Sequence, residues 1–177
     1  MTGEIFCFEY DSPVGRLRLT QKGGSLAALS LAGKENPNAF LYKGELTYEE
    51  EGKRLAAMGA KIQETELIAR THKELREYFA GERRTFTIPL APEGTAFQKQ
   101  VWQALLAIPY GETRSYGQIA AMIGRPRAAR AVGMGNHKNP ISILIPCHRV
   151  IGADGSLTGY GGGLDIKEYL LRLEGIL

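Results

Sequence analysis

Between residues 5 and 31 apolar and polar positions alternate, and the alternation breaks twice at turn residues. Ile5-Phe6-Cys7-Phe8 leads into Asp11-Ser12-Pro13-Val14-Gly15, Leu17 and Leu19 alternate with Arg16 and Arg18, and Gly23-Gly24 precedes a run from Leu26 to Leu31. A period of two bounded by Gly, Pro and Asp predicts a small antiparallel meander of two or three strands. Cys7 then falls in its core.

Residues 32–63 say least. Gly33 to Asn38 is a loop by composition, and Glu49-Glu50-Glu51 reads as a solvated charge run. From about 64 to 80 the period changes: Leu67, Ile68, Thr71, Leu75, Tyr78 and Phe79 share one helical stripe, Gly81 can close the helix, and His72 lies off the stripe and is expected to be exposed. Thr85 to Ile88 is a candidate last strand. Pro89-Leu90-Ala91-Pro92-Glu93-Gly94 then reads as a linker, because prolines remove backbone donors and glycine adds freedom. The chain divides there into residues 1–90, a linker at 91–96, and residues 97–177.

In the second part Phe97, Val101, Trp102, Leu105 and Leu106 recur at helical spacing, and Pro109-Tyr110-Gly111 ends that helix with Trp102 in its core. Ser115 and Gln118 fit a capping box, so a helix starts there, carries Ile119, Ala120 and Ile123, and closes at Gly124. Pro126 suits the first turn of the next helix, running through Arg127, Ala128, Ala129, Arg130, Ala131, Val132 and Gly133. Two short helices joined by a tight turn predict a helix-turn-helix. The second carries mostly small residues, which lets its backbone approach a partner closely while Arg130 projects further. Ile166 to Leu173 makes a closing helix.

The chain of 177 residues, 44% hydrophobic and 23% charged, has an ordinary globular composition. No Cys-x-x-Cys or His-x-x-x-His spacing joins Cys7, Cys147, His72, His137 and His148, so neither a metal site nor a disulfide is signalled. Neither a signal peptide nor a membrane-length apolar run is present, which leads us to expect a cytoplasmic protein with reduced thiols and no membrane partner. The net charge of +3 is unevenly placed: residues 95–177 hold nine Lys/Arg against five Asp/Glu, and residues 1–94 hold 13 against 14. A basic segment favours a polyanion, although charge alone fits a solvated face as well.

The densest chemistry lies in Ile143-Leu144-Ile145-Pro146-Cys147-His148-Arg149-Val150. The apolar triplet predicts a buried strand that Pro146 stops, holding a thiol at the end of a rigid element. Cys147 needs a base or a nearby cation to react at neutral pH, and in an extended chain His148 reaches it only through a bend or a bridging water. Local pattern alone leaves two readings open, a nucleophile or an inert buried thiol.

Pro146-Cys147-His148-Arg149-Val150, with Asn139-Pro140 before it and Gly159-Tyr160-Gly161-Gly162-Gly163-Leu164 after it, resembles the active-site signature of the O6-alkylguanine-DNA alkyltransferases of the single-function bacterial or archaeal type. Phe97-Gln98 with Val101-Trp102, Ile108-Pro109-Tyr110-Gly111, Ser115-Tyr116-Gly117, Ala129-Arg130-Ala131-Val132-Gly133 and Glu174-Gly175 agree in order and spacing. The likeness covers residues 95 to 175 and is looser before that.

The resemblance implies an α+β protein with an N-terminal ribonuclease-H-like domain and a mostly helical C-terminal domain. It implies single-turnover DNA repair, in which Cys147 takes the alkyl group from O6-alkylguanine, O4-alkylthymine being left open. In this reading Glu174 orients His148, His148 activates Cys147 through a water, Tyr116 donates a proton to the departing base, and Asn139 is a hinge. Arg130 fills the space of the rotated-out base, with Arg127, Ala129, Ser115, Thr113, Gly133 and Asn136 along the DNA. Val150, Tyr160, Gly161, Gly162, Arg149 and Pro146 surround the alkylated base. His137 stands where relatives have a small residue, and Gly135 where alanine is usual; His137 is then expected to meet a phosphate. Double-stranded DNA is the partner, with no cofactor, no metal and no obligate protein partner, and a monomer is expected. Two other classes stand beside this reading: a helix-turn-helix protein that senses lesions without chemistry, and a cysteine hydrolase.

Overall fold

The structure, a computed structural model, describes residues 3–32, 35–36 and 46–177. Strands β1 (Ile5–Tyr10), β2 (Leu17–Lys22) and β3 (Ser25–Leu31) form the expected meander, with Phe8 opposite Leu19 and Leu19 opposite Leu29. β4 (Glu35–Asn36) pairs with β5 (Leu46–Thr47); the rest of the loop expected over 33–38 lies outside the described residues. Helix α1 (Tyr48–Ala57) follows, and β6 (Lys61–Ile62) joins β1 in parallel to give the order β3-β2-β1-β6.

The acidic run Glu49-Glu50-Glu51 is not wholly solvated. It forms the first turn of α1, where Thr47 and Glu50 make a capping box, and Glu51 is buried against Arg18, whose Nη1 lies 3.2 Å from its carboxylate. Acidic residues favour a helix N-terminus, and a charge leaves water only when paired.

Helix α2 (Glu66–Phe79) buries Ile68, Thr71, Leu75 and Tyr78 against the sheet and ends before Gly81, whose φ of +77° suits the left-handed position after a helix. His72 is half-buried rather than exposed, stacked on Tyr10 with ring centroids 3.7 Å apart. Residues 85–88 form no strand: Thr87 is held instead by the buried Glu74, which accepts from its backbone N–H and its hydroxyl. In the proline-containing segment after it, Leu90 makes an isolated bridge to Leu26.

Helix α3 (Ala96–Leu106) is capped by Thr95 and buries Trp102, whose indole N–H donates to the Gly135 carbonyl at 2.9 Å. β7 (Arg114–Ser115) leads into α4 (Tyr116–Met122), which starts at the expected Ser115–Gln118 capping box. Helix α5 begins at Ala129, later than expected, and runs on to His137; Pro126 and Arg127 lie in the turn before it. A 3₁₀ turn at Cys147–Arg149 precedes β8 (Val150–Ile151), and α6 (Leu164–Leu173) closes the chain.

One apolar core runs through both parts, from Leu19, Leu29 and Tyr78 to Trp102, Ile145 and Leu170. The backbone crosses too: Leu29 N–H of β3 donates to the Pro140 carbonyl at 2.9 Å. The sheet edge thereby braces the segment that precedes the thiol.

Candidate active site

The segment before the thiol is buried as expected but is a turn, not a strand. Ile145 N–H returns to the Ile141 carbonyl at 3.0 Å, and Ile143 sits at φ +76°. A β-branched residue there costs about 1–3 kcal/mol and persists only where its surroundings over-determine it. Here they do: Ile143 is buried, Asn139 Nδ2 donates to the Ile145 carbonyl at 2.9 Å, and Asn139 Oδ1 accepts from Ile141 N–H at 3.0 Å. One amide side chain therefore closes the turn across its two ends.

Past Pro146 the chain enters the 3₁₀ turn, which supplies the bend that an extended chain lacks between Cys147 and His148. Cys147 is 3% exposed, and burial pushes its thiol above the ordinary range, against the opposing influence of Asn139, Lys167 and Ser142. His148 is fully buried, and loss of hydration pushes its imidazole below the ordinary range although Glu174 opposes this. Its Nε2 lies 2.7 Å from Glu174 Oε1. A neutral imidazole bonded there carries its proton on Nε2, which leaves Nδ1 as a proton acceptor. Among the described residues no protein group bonds that buried Nδ1.

Glu174 is the hub. Arg149 grips both of its oxygens, with Nε to Oε2 at 2.9 Å and Nη2 to Oε1 at 3.0 Å, while Tyr78 donates to Oε1 at 2.7 Å and Gly111 N–H to Oε2 at 3.3 Å. Burial alone would raise its pKa, but the bonds from His148 and Arg149 win and hold it at about 2. Arg149 also donates to the Ile108 carbonyl at 2.7 Å. It thus clamps Glu174 from one side. With Pro146 it lines a separate cavity of about 290 Å³ that contains neither Cys147 nor Tyr160.

The glycine-rich segment folds over this centre. β7 pairs with β8, Arg114 opposite Val150, which brings the start of the helix-turn-helix beside the thiol turn. The Tyr116 hydroxyl donates to the Thr158 carbonyl at 3.1 Å. Tyr160 is buried, and the backbone at Gly162 approaches so closely that a Cβ would stand 2.6 Å from its ring and 3.0 Å from Leu31. Gly161 lies half-buried beside it. Val150 is buried, and its carbonyl already accepts from Lys167 Nζ at 2.5 Å, so a second ligand would use its other lone pair.

Of the residues expected along the DNA, Arg127 and Arg130 are exposed and Thr113, Ser115, Ala129 and Gly133 are half-buried on or near the helix-turn-helix. Asn136 does not belong with them. It is buried on the inner side of α5, with Nδ2 3.3 Å from the Cys147 carbonyl. Gly135 is buried as well, and a Cβ there would stand 3.2 Å from a Val101 methyl, so an alanine would need Val101 to shift by a few tenths of an ångström. His137 is half-buried at the helix end.

Two residues escaped the sequence reading. Lys167 is fully buried, with Nζ on the Val150 and Thr158 carbonyls, and burial holds its pKa down to about 8. Its signal is a lone cation on the apolar stripe of α6 with Ile166, Leu170 and Leu171. Tyr78 has no such signal, because an aromatic on a helical stripe reads as core.

Comparisons with known proteins converge on one family. The family described as 6-O-methylguanine DNA methyltransferase matches through its ribonuclease-like domain over residues 5–92 and its DNA binding domain over residues 96–176. A methylated-DNA–protein-cysteine methyltransferase of Mycobacterium leprae is 48% identical over 170 residues, covering 96% of this chain and 92% of that protein. A constitutive one from Bacillus subtilis is 55% identical over 114 residues, 64% of this chain and 69% of its own length. Among solved structures, the O6-methylguanine methyltransferase of Mycobacterium tuberculosis superposes with a TM-score of 0.79 at 44% identity, covering 96% of this chain and 92% of that one. The same organism's OGT in complex with DNA gives 0.76 at 44% identity and the same coverage.

Proposed function

This chain belongs to the 6-O-methylguanine DNA methyltransferase family, and on that premise we propose that it repairs DNA by moving an alkyl group from O6 of guanine irreversibly onto Cys147. The single observation that carries the reading is the buried line of Glu174, His148 and Cys147, in which a carboxylate held ionised orients an imidazole whose free nitrogen can take the thiol proton.

His148 withdraws the proton from Cys147 through a water, and the thiolate attacks the alkyl carbon in line. The carbon–oxygen bond breaks with its electron pair going to guanine O6. Tyr116, at the mouth of the glycine-rich segment, supplies a proton to the departing base and offsets the charge that builds on the ring. The base has to leave the duplex first, at a cost of a few kcal/mol, and Arg130 on the exposed side of α5 offsets part of that by occupying the gap. Tyr160, Gly161 and Gly162 with the Val150 backbone then enclose the base.

The carbon–sulfur bond of the thioether formed is stable to hydrolysis. The chain's other cysteine, Cys7, lies in β1, and we take the protein to act once, without a cofactor, on double-stranded DNA and as a monomer in the cytoplasm. Among the described residues no helix is long and apolar enough to cross a membrane. The test is stoichiometry: with excess O6-methylguanine duplex, repaired guanine should rise to one equivalent of protein and stop. Continued release would overturn the proposal in favour of a hydrolytic cycle, and binding without repair would do so in favour of a lesion sensor.

A further inference from the structure

We propose that Tyr78, contributed by the N-terminal half, is a positioning residue of the Glu174–His148 pair, sharing Oε1 of Glu174 with the imidazole and so holding the relay in its neutral resting form. The inference rests on Cys147 being the nucleophile.

Tyr78 lies on α2 with no exposed surface, its ring packed against Phe79, Phe86 and Tyr110 at centroid distances of 5.6, 5.4 and 6.2 Å. Its hydroxyl donates to Glu174 Oε1 at 2.7 Å, the same oxygen that His148 Nε2 meets at 2.7 Å. Orientation of the carboxylate does not need this bond, because the Arg149 fork already fixes both oxygens and the Gly111 N–H adds a third hold. What Tyr78 adds is a neutral donor that competes for the lone pairs facing the imidazole.

A carboxylate oxygen shared among three donors attracts each of them less strongly. Among the described residues, the charged and titratable groups that act on His148 are Glu174, Arg149 and Lys167, with Cys147 beside it in the turn and Tyr78 on the shared oxygen. Glu174 alone favours an imidazolium, and Tyr78 weakens that pull. The balance therefore stays with neutral imidazole and neutral thiol until a lesion occupies the site. A thiol that reacts once is wasted on any oxidant or stray electrophile it meets as a thiolate. Burial of Cys147 is one safeguard, and the damped relay is a second.

The test is Tyr78→Phe in the full chain, which removes one oxygen and keeps the ring. Carbamidomethylation of Cys147 by iodoacetamide, located by peptide mass, should become about three- to tenfold faster at neutral pH, a tenfold change matching about one pKa unit. The His148 Hε2 resonance should move downfield. Phe86→Leu, which disturbs the same ring without touching the hydroxyl, should change neither. In wild-type protein, the Tyr78 hydroxyl proton should appear as a slowly exchanging downfield resonance.

An unchanged or slower rate in Tyr78→Phe, an equal acceleration in Phe86→Leu, or no such wild-type resonance overturns the assignment. Wild-type protein given the O6-methylguanine duplex separates this from the reading beneath it. Methyl uptake at Cys147 alongside an unaltered Tyr78→Phe rate removes only the role of Tyr78, whereas no uptake removes the nucleophile itself.

Discussion

The ammonium of Lys167 ties the Val150 carbonyl, 2.5 Å away, to the Thr158 carbonyl, 2.8 Å away. It thus joins the strand after the thiol to the segment that covers it, and its charge opposes the upward push of burial on Cys147. Lys167→Met should slow single-turnover methyl transfer roughly tenfold, since it removes two charge-assisted bonds worth about 1.5–3 kcal/mol each when intact, only part of which acts on the reacting atoms. The sign of the pH effect follows from the lowered pKa. Between about 8 and the ordinary 10.5 the unfolded chain binds the extra proton, so wild-type stability should rise with pH across that window. Denaturant unfolding of both proteins should show this rise in the wild type and lose it in the variant.

Glu174 gives a rise of the same sign in the acid range. Its carboxyl is held at about 2 against an ordinary 4.5, so it stabilises the fold fully above 4.5 and loses that contribution as pH falls through about 2. Glu174→Gln leaves the buried Arg149 guanidinium without its counter-ion, a change worth on the order of 3 kcal/mol. The stability gap between wild type and variant should be constant near neutrality and close between those two pH values. A gap that persists at the acid end would mean that packing, not charge, is what the substitution damages.

Arg130 is exposed on α5. Arg130→Ala should therefore leave alkyl transfer from a free O6-alkylguanine base unchanged while slowing repair of the same lesion in duplex DNA by roughly ten- to a hundredfold, the equivalent of part of the flipping cost. Parallel single-turnover assays on the two substrates measure this directly. Equal loss on both would place the arginine in the chemistry and not in the duplex.

Features set by local chemistry were legible in the sequence. The period-two run over residues 5–31, the stripe from Ile68 to Tyr78 and the Ser115–Gln118 box each name their own element, because neighbours along the chain decide them. Long-range contacts decided the rest. Ile143-Leu144-Ile145 reads as a strand by composition, yet Asn139 and the β3 backbone bend it into a turn. Pro126 could open a helix, but α5 waits until Ala129. Glu51 and Arg149 carry charges that ordinarily face water, and only partners distant in sequence, Arg18 and Glu174, allow them inside. Asn136 is placed along the DNA by the resemblance alone, and its side chain is buried with Nδ2 on the carbonyl of the thiol turn.

The most direct measurement is intact and peptide mass after mixing the protein with an equimolar duplex carrying O6-methylguanine, beside a Cys147→Ser control. The account predicts one added methyl group per molecule, located on Cys147 and absent from the control, with the lesion restored to guanine. Unmodified protein still bound to the lesion, or a methyl group on any residue other than Cys147, would contradict it.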